Sequence, residues 1–99
     1  MIRREGDRIA IAGSVTLENV TGILAEAVAH VRAGASQVDL GEVSELDSSL
    51  LAAILALIRE ARRESRTLMI SSLPAGLKTL AGLYGVEDLL PLSSTASSQ

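Results

Sequence analysis

The stretch Val38–Ile58, VDLGEVSELDSSLLAAILALI, decides how this chain is organised. Val38 and Leu40 alternate with polar neighbours as one face of a short strand, Gln37–Leu40. Gly41–Leu46 reads as a polar turn that brings Asp47, Ser48 and Ser49 to the head of a helix. The next residues, Leu50–Ile58, are all apolar. Asp47 suits the N-cap position, with the helix starting at Ser48 or Ser49 and running to about Glu64. A helix N-terminus presents unpaired backbone N–H groups and a partial positive charge. Hydroxyls placed there can cap the helix, accept a phosphate or sit in a partner's interface.

Working outward, Gly6-Asp7 between Arg3–Glu5 and Arg8–Ala12 is a two-residue hairpin signal, and Gly13-Ser14 is expected to end the second strand. Val20, Ile23, Leu24, Ala27, Val28 and Val31 fall at helical spacing, with Asn19 or Thr21 as the cap and Gly34 as the stop. Thr67–Ser71 reads as a buried strand. Pro74 suits the first turn of a third helix that carries Leu77, Leu80, Ala81 and Tyr84 on one face and closes at Gly85. Val86–Leu90 reads as a short helical turn that Pro91 ends. The order is β-β-α-β-α-β-α, an α/β fold in which helices pack on a mixed sheet whose later strands run parallel. Residues 1–92 make one domain, and the polar tail Ser93–Gln99 is expected to be disordered.

Bulk composition narrows the function. Ninety-nine residues suffice for one small core. The chain is 47% hydrophobic but only 1% aromatic, Tyr84 alone, so the core must be aliphatic and no ring array exists to stack on bases or flavins. A net charge of −3 argues against nucleic acid as a partner. No cysteine is present, which excludes disulfides and thiolate chemistry. The start Met1-Ile2-Arg3-Arg4-Glu5 lacks the apolar run of a signal peptide, and no apolar segment approaches the ~20 residues needed to cross a bilayer. A cytoplasmic domain without direct membrane insertion is the expectation. His30 is the single histidine, placed mid-helix, and Asp39, Glu42, Glu45 and Asp47 read as acidic loop residues. No phosphate-binding glycine loop occurs, so neither catalysis nor a metal or cofactor is expected.

The second helix carries two apolar lines. Leu51, Ile54, Leu55 and Ile58 suffice to pack on a sheet. Leu50, Ala53 and Leu57 form a further line, for which two readings stand open: a neighbouring helix covers it, or it lies partly at the surface and docks on another protein. The cluster Arg59, Glu60, Arg62, Arg63, Glu64 and Arg66 is either a solvated helix end or the rim of that surface.

Apolar strand, acidic turn, Asp47-Ser48-Ser49 and then Leu50-Leu51 at a helix start resemble the STAS domain. That fold is shared by anti-sigma factor antagonists and the cytoplasmic tails of anion transporters. The resemblance covers nearly the whole chain, to Pro91. Leu77-Lys78-Thr79-Leu80-Ala81-Gly82-Leu83-Tyr84-Gly85-Val86 followed by Leu90-Pro91 is similar to the end of the MlaB branch, the small STAS subunits of lipid-asymmetry ABC transporters. The chain departs from the family at Leu50, where glycine is usual.

This resemblance implies a non-catalytic subunit that binds an MlaF-like ABC transporter ATPase subunit and, through it, the phospholipid permease of the inner membrane. It implies that the position of Ser48, a threonine in that branch, lies at the ATPase interface. Partner-binding is accordingly expected at Asp47, Ser48, Ser49, Leu50, Ala53, Leu57 and Tyr84. The anti-sigma branch implies instead a switch by phosphorylation at Ser48 or Ser49. A homodimer of the isolated chain is a further possibility on the same apolar line.

Overall fold

A computed structural model describes residues 1–91. The elements are β1 (Ile2–Glu5), β2 (Arg8–Val15), α1 (Val20–Arg32), β3 (Gln37–Leu46), α2 (Ser48–Arg63), β4 (Met69–Ser71), α3 (Ala75–Tyr84) and a 3₁₀ turn at Glu87–Leu89. The expected order β-β-α-β-α-β-α is found. The expected tail, 93–99, lies outside the described residues.

The sheet runs β1-β2-β3-β4, with β1 antiparallel to β2 and the β2/β3 and β3/β4 pairs parallel. Both parallel crossovers step the same way across the sheet, and right-handed crossovers then place α1 and α2 on one face. Ile9, Ile11, Val38, Leu40 and Ile70 point into that side and are buried with Ala27, Val31, Ile54, Ile58, Leu77 and Ala81. The opposite side of the sheet carries ion pairs. Arg3 binds Glu42 and Glu5, and Arg8 binds Glu5 and Asp39.

Three boundaries differ from the sequence reading by more than one residue, and β4 is one of them, covering Met69–Ser71 rather than Thr67–Ser71. β2 does not stop at Gly13-Ser14 but continues to Val15, with Gly13 at φ 87°. β3 does not turn after Leu40 but extends to Leu46. Between Ala10↔Asp39 and Ala12↔Glu42, and again between Gly13↔Val43 and Ser14↔Glu45, β3 takes one more residue than β2. These bulges break the two-residue alternation, which is why GEVSEL looks like a turn. They also carry the chain along the sheet right up to Asp47, so that α2 begins one residue after the strand.

Candidate docking surface at the head of the second helix

Asp47 adopts extended backbone and caps α2. Its Oδ1 accepts the Ser49 N–H at 2.9 Å and also the Ser49 hydroxyl, while Oδ2 accepts the Leu17 N–H at 3.0 Å. The carboxylate thereby joins the head of α2 to the loop before α1. The Ser49 hydroxyl first, then the Leu17 and Ser49 amides, hold its pKa below the usual aspartate range. Asn19 does not cap α1 through its side chain; it accepts the Thr16 N–H and donates to the Ser14 carbonyl. The loop that bears Leu17 is thus closed on itself and tied to Asp47.

The two serines differ. Ser49 is half-buried and its hydroxyl is committed to Asp47. Ser48 is exposed, and its hydroxyl has no hydrogen bond to the described residues.

The extra apolar line is interior. Leu50 and Leu57 are 1% exposed and Ala53 5%. Ala53 shares a groove wall with Val20 and Leu24 of α1, and Glu60 on the same side pairs with Arg32 of α1 at 2.7 Å. The docking surface expected at Leu50 and Leu57 is therefore corrected: at ~100° per residue the buried arc of α2 spans about 160°, both lie near its centre inside the core, and of that line only Ala53 borders the groove beside α1. Leu50 packs inside the core.

Among the residues that α2 turns outward are Ser48, Ala52, Leu55, Ala56, Arg59, Arg62 and Arg63, a stripe along the helix. Apolar concavities flank it on both sides. One, of about 450 Å³, is walled by Leu17, Val20, Leu24, Asp47, Ser48 and Ala52. The other, of about 270 Å³, lies between Ser48, Leu51, Ala52 and Leu55 and the end of α3 at Tyr84 and Val86. Tyr84 does not share the buried face of α3 with Leu77 and Ala81 as expected from spacing; it is 60% exposed and borders this groove. Leu17, Leu83 and Leu89 add exposed apolar surface, Leu17 at 77%. Of these, Leu17, Ala52 and Leu89 escaped the sequence reading, and Leu55, expected on the sheet-packing face with Leu51, Ile54 and Ile58, is instead half-buried on the outward side. A lone leucine in the polar loop Thr16–Asn19 was the one available signal.

The remaining candidates disperse. Asp39, Glu42, Glu45 and Asp47 do not converge: they bind Arg8, Arg3, the Ser14 hydroxyl and the head of α2 respectively. Among the described residues no group of acidic or histidine side chains could hold a metal. His30 sits in the last turn of α1 beside Arg4, about 15 Å along the helix from Val20 at the groove. Arg66 closes the C-terminal end of α1, donating to the carbonyls of Ala35 and Val31. No helix of the described residues is long and apolar enough to cross a membrane.

A family model described as "Mlab, STAS domain" matches residues 1–91. The chain belongs to this MlaB-type STAS family. Solved structures of the same fold include the anti-sigma factor antagonist SpoIIAA in its unphosphorylated form, with TM-score 0.70, 15% identity and 94% of this chain against 86% of that one. A putative anti-sigma factor antagonist from Thermotoga maritima superposes with TM-score 0.73 at 12% identity, covering 93% of this chain and 83% of that one. One from Mycobacterium paratuberculosis does so with TM-score 0.73 at 16% identity, covering 93% and 81%. No curated protein sequence matches significantly. At these identities the neighbours fix the STAS fold and the family model fixes the branch. In this STAS domain the Asp47-Ser48-Ser49 turn leads straight into the exposed stripe of α2.

Proposed function

We propose that this STAS domain is a non-catalytic subunit that binds and stabilises or activates the cytoplasmic ATPase of a phospholipid-transporting ABC complex. In that role it sits at the inner membrane through its partner and serves outer-membrane lipid asymmetry. The observation that carries the reading is the stripe Ser48–Ala52–Leu55 with apolar grooves on both sides. A small residue, Ala52, at its centre lets a partner helix approach closely, and the free Ser48 hydroxyl offers a directional hydrogen bond at the rim. Membership of the MlaB-type family supports the choice of partner.

The test is to mix the chain with the MlaF-like ABC transporter ATPase of its own organism and follow co-elution and ATP turnover. S48D and L55R chains that remain folded are expected to lose association. Unchanged association of both variants would rule the surface out.

A second reading is favoured by one observation, the accessible Ser48 hydroxyl at a helix N-terminus. There a phosphate would meet the positive end of the helix dipole. In this reading the chain is an anti-sigma factor antagonist, modified at Ser48 rather than at Ser49, whose hydroxyl already bonds Asp47. Intact mass of protein from its native cells decides: an unmodified population in every growth condition removes the switch.

A further inference from the structure

No lysine or arginine occurs between Arg8 and Arg32 or between Arg32 and Arg59. Those two spans supply most of β2, nearly all of α1, β3 and the first half of α2. They bring Glu18, Glu45 and Asp47 together at one end of the molecule, where a recess of about 520 Å³ is walled by these three with Ser14, Thr16 and Leu17. Leu17 and Asp47 line both this recess and the apolar groove beside α1, so the two are continuous, and no cation lines either. Glu18 and Glu45 are exposed and form no ion pair among the described residues; Glu45 accepts the Ser14 hydroxyl. The Met1 ammonium, held at the Ala12 carbonyl, pairs with neither. The other flank of α2 is different. Beside α3 the concavities are smaller, and Arg62 shares one of them with Asp88, so both signs of charge are present and select no partner.

The shape of the groove narrows the occupant further. Its walls repeat at one helical turn, Val20 and Leu24 on α1 and Ser48 and Ala52 on α2. The α2 side is built of small side chains, Ser48, Ser49, Ala52 and Ala53, so a partner backbone can come close. A helix laid there would set apolar side chains at i and i+4 against these walls. Its next turn would lie over the recess, where a Lys or Arg meets Glu18 and Glu45. Leu17, 77% exposed, stands at the junction, and the Asp47 carboxylate already holds its N–H.

We propose that groove and recess together take a basic amphipathic helix, its apolar face between α1 and α2 and its Lys or Arg in the recess. That the ATPase presents this helix rests on the docking reading above; the preference for a basic occupant does not. The apolar anchors supply the affinity, and the carboxylates supply orientation and on-rate. Because Asp47 holds Leu17 in place beforehand, little ordering is lost on binding.

The test has two arms. In the first, a peptide of about four helical turns, with leucines at helical spacing and lysines elsewhere, is titrated into the full chain while amide shifts are followed. It is expected to bind with a Kd of about 10–100 µM and to move the amides of Leu17, Leu24 and Ala52. The same peptide with glutamate for lysine should bind at least about tenfold more weakly. Equal binding of the two peptides, shifts gathered at Tyr84 and Leu89, or a chain that pairs with itself through the groove overturns the proposal. In the second arm, E18R/E45R chain, checked for native circular dichroism, is mixed with the MlaF-like ATPase. Association should fall about tenfold or more, with E18Q/E45Q losing less and wild-type binding weakening in high salt. An ATPase that binds wild type and E18R/E45R alike removes the ATPase as the source of the helix and leaves the docking reading standing. An ATPase that binds neither, beside a lysine peptide that fills the groove, removes the docking reading alone.

Discussion

The Asp47 carboxylate holds the Leu17 N–H at 3.0 Å while its other oxygen caps α2 through Ser49. One side chain thus sets both the start of α2 and the position of the most exposed leucine of the groove. Strand β3 delivers it there, because two bulges let the strand run on to Leu46 before the helix begins.

Asp47→Asn should lower stability in a pH-dependent way. The folded-state pKa of Asp47 is depressed, so as pH falls the unfolded chain takes up its proton first. The contribution of the ionised cap is complete above the ordinary aspartate pKa and is lost as pH drops through the folded value. The variant should melt about 5 °C lower at neutral pH, with the gap closing in acid. Amide exchange at Leu17 should speed up in parallel. A wild-type Leu17 amide as unprotected as that of the variant would contradict the tether.

Leu57→Ala and Leu55→Arg should separate core from surface on the same helix. Leu57 is 1% exposed, and its truncation should cost about 2–4 kcal/mol and melt the domain well over ten degrees lower. Leu55 is only half-buried on the outward stripe. Its replacement should leave the melting temperature within about 5 °C of wild type while removing partner binding. Denaturant melts and co-elution measure the two effects.

Arg66→Met should destabilise α1 rather than α2. The guanidinium donates to the Ala35 and Val31 carbonyls at the end of α1, and its loss should cost about 1–3 kcal/mol. Lysine should not rescue it, because one ammonium cannot reproduce the planar fork. Hydrogen exchange localised to the last turn of α1 reads this out.

Arg3→Ala, on the open side of the sheet, should change the melting temperature by no more than about 2 °C, less at high salt. Its partners Glu42 and Glu5 are about half exposed, and solvent screens both pairs. A loss comparable to that of Leu57→Ala would mean that this face is covered in the native assembly.

Much of the architecture was legible in one dimension because it rests on local chemistry. The Asp47 cap, the extent of α2, the Gly85 stop of α3 at φ 71° and the parallel later strands all follow from capping residues, periodicity and crossover rules. The second half of β3 was not legible, since a bulged strand loses the alternation by which strands are recognised. Leu17 was missed because its place depends on a hydrogen bond to a residue thirty positions away.

The opening segment marks the division. Residues 38–58 determine by themselves that a strand leads through Asp47-Ser48-Ser49 into an apolar helix, because alternation, capping and helical period act over a few residues. Which side of that helix meets a partner was a tertiary decision. Two apolar lines look alike until the helix is seated on the core, which takes in Leu50 and Leu57, leaves Ala53 at the groove beside α1, and turns Ser48, Ala52 and Leu55 outward.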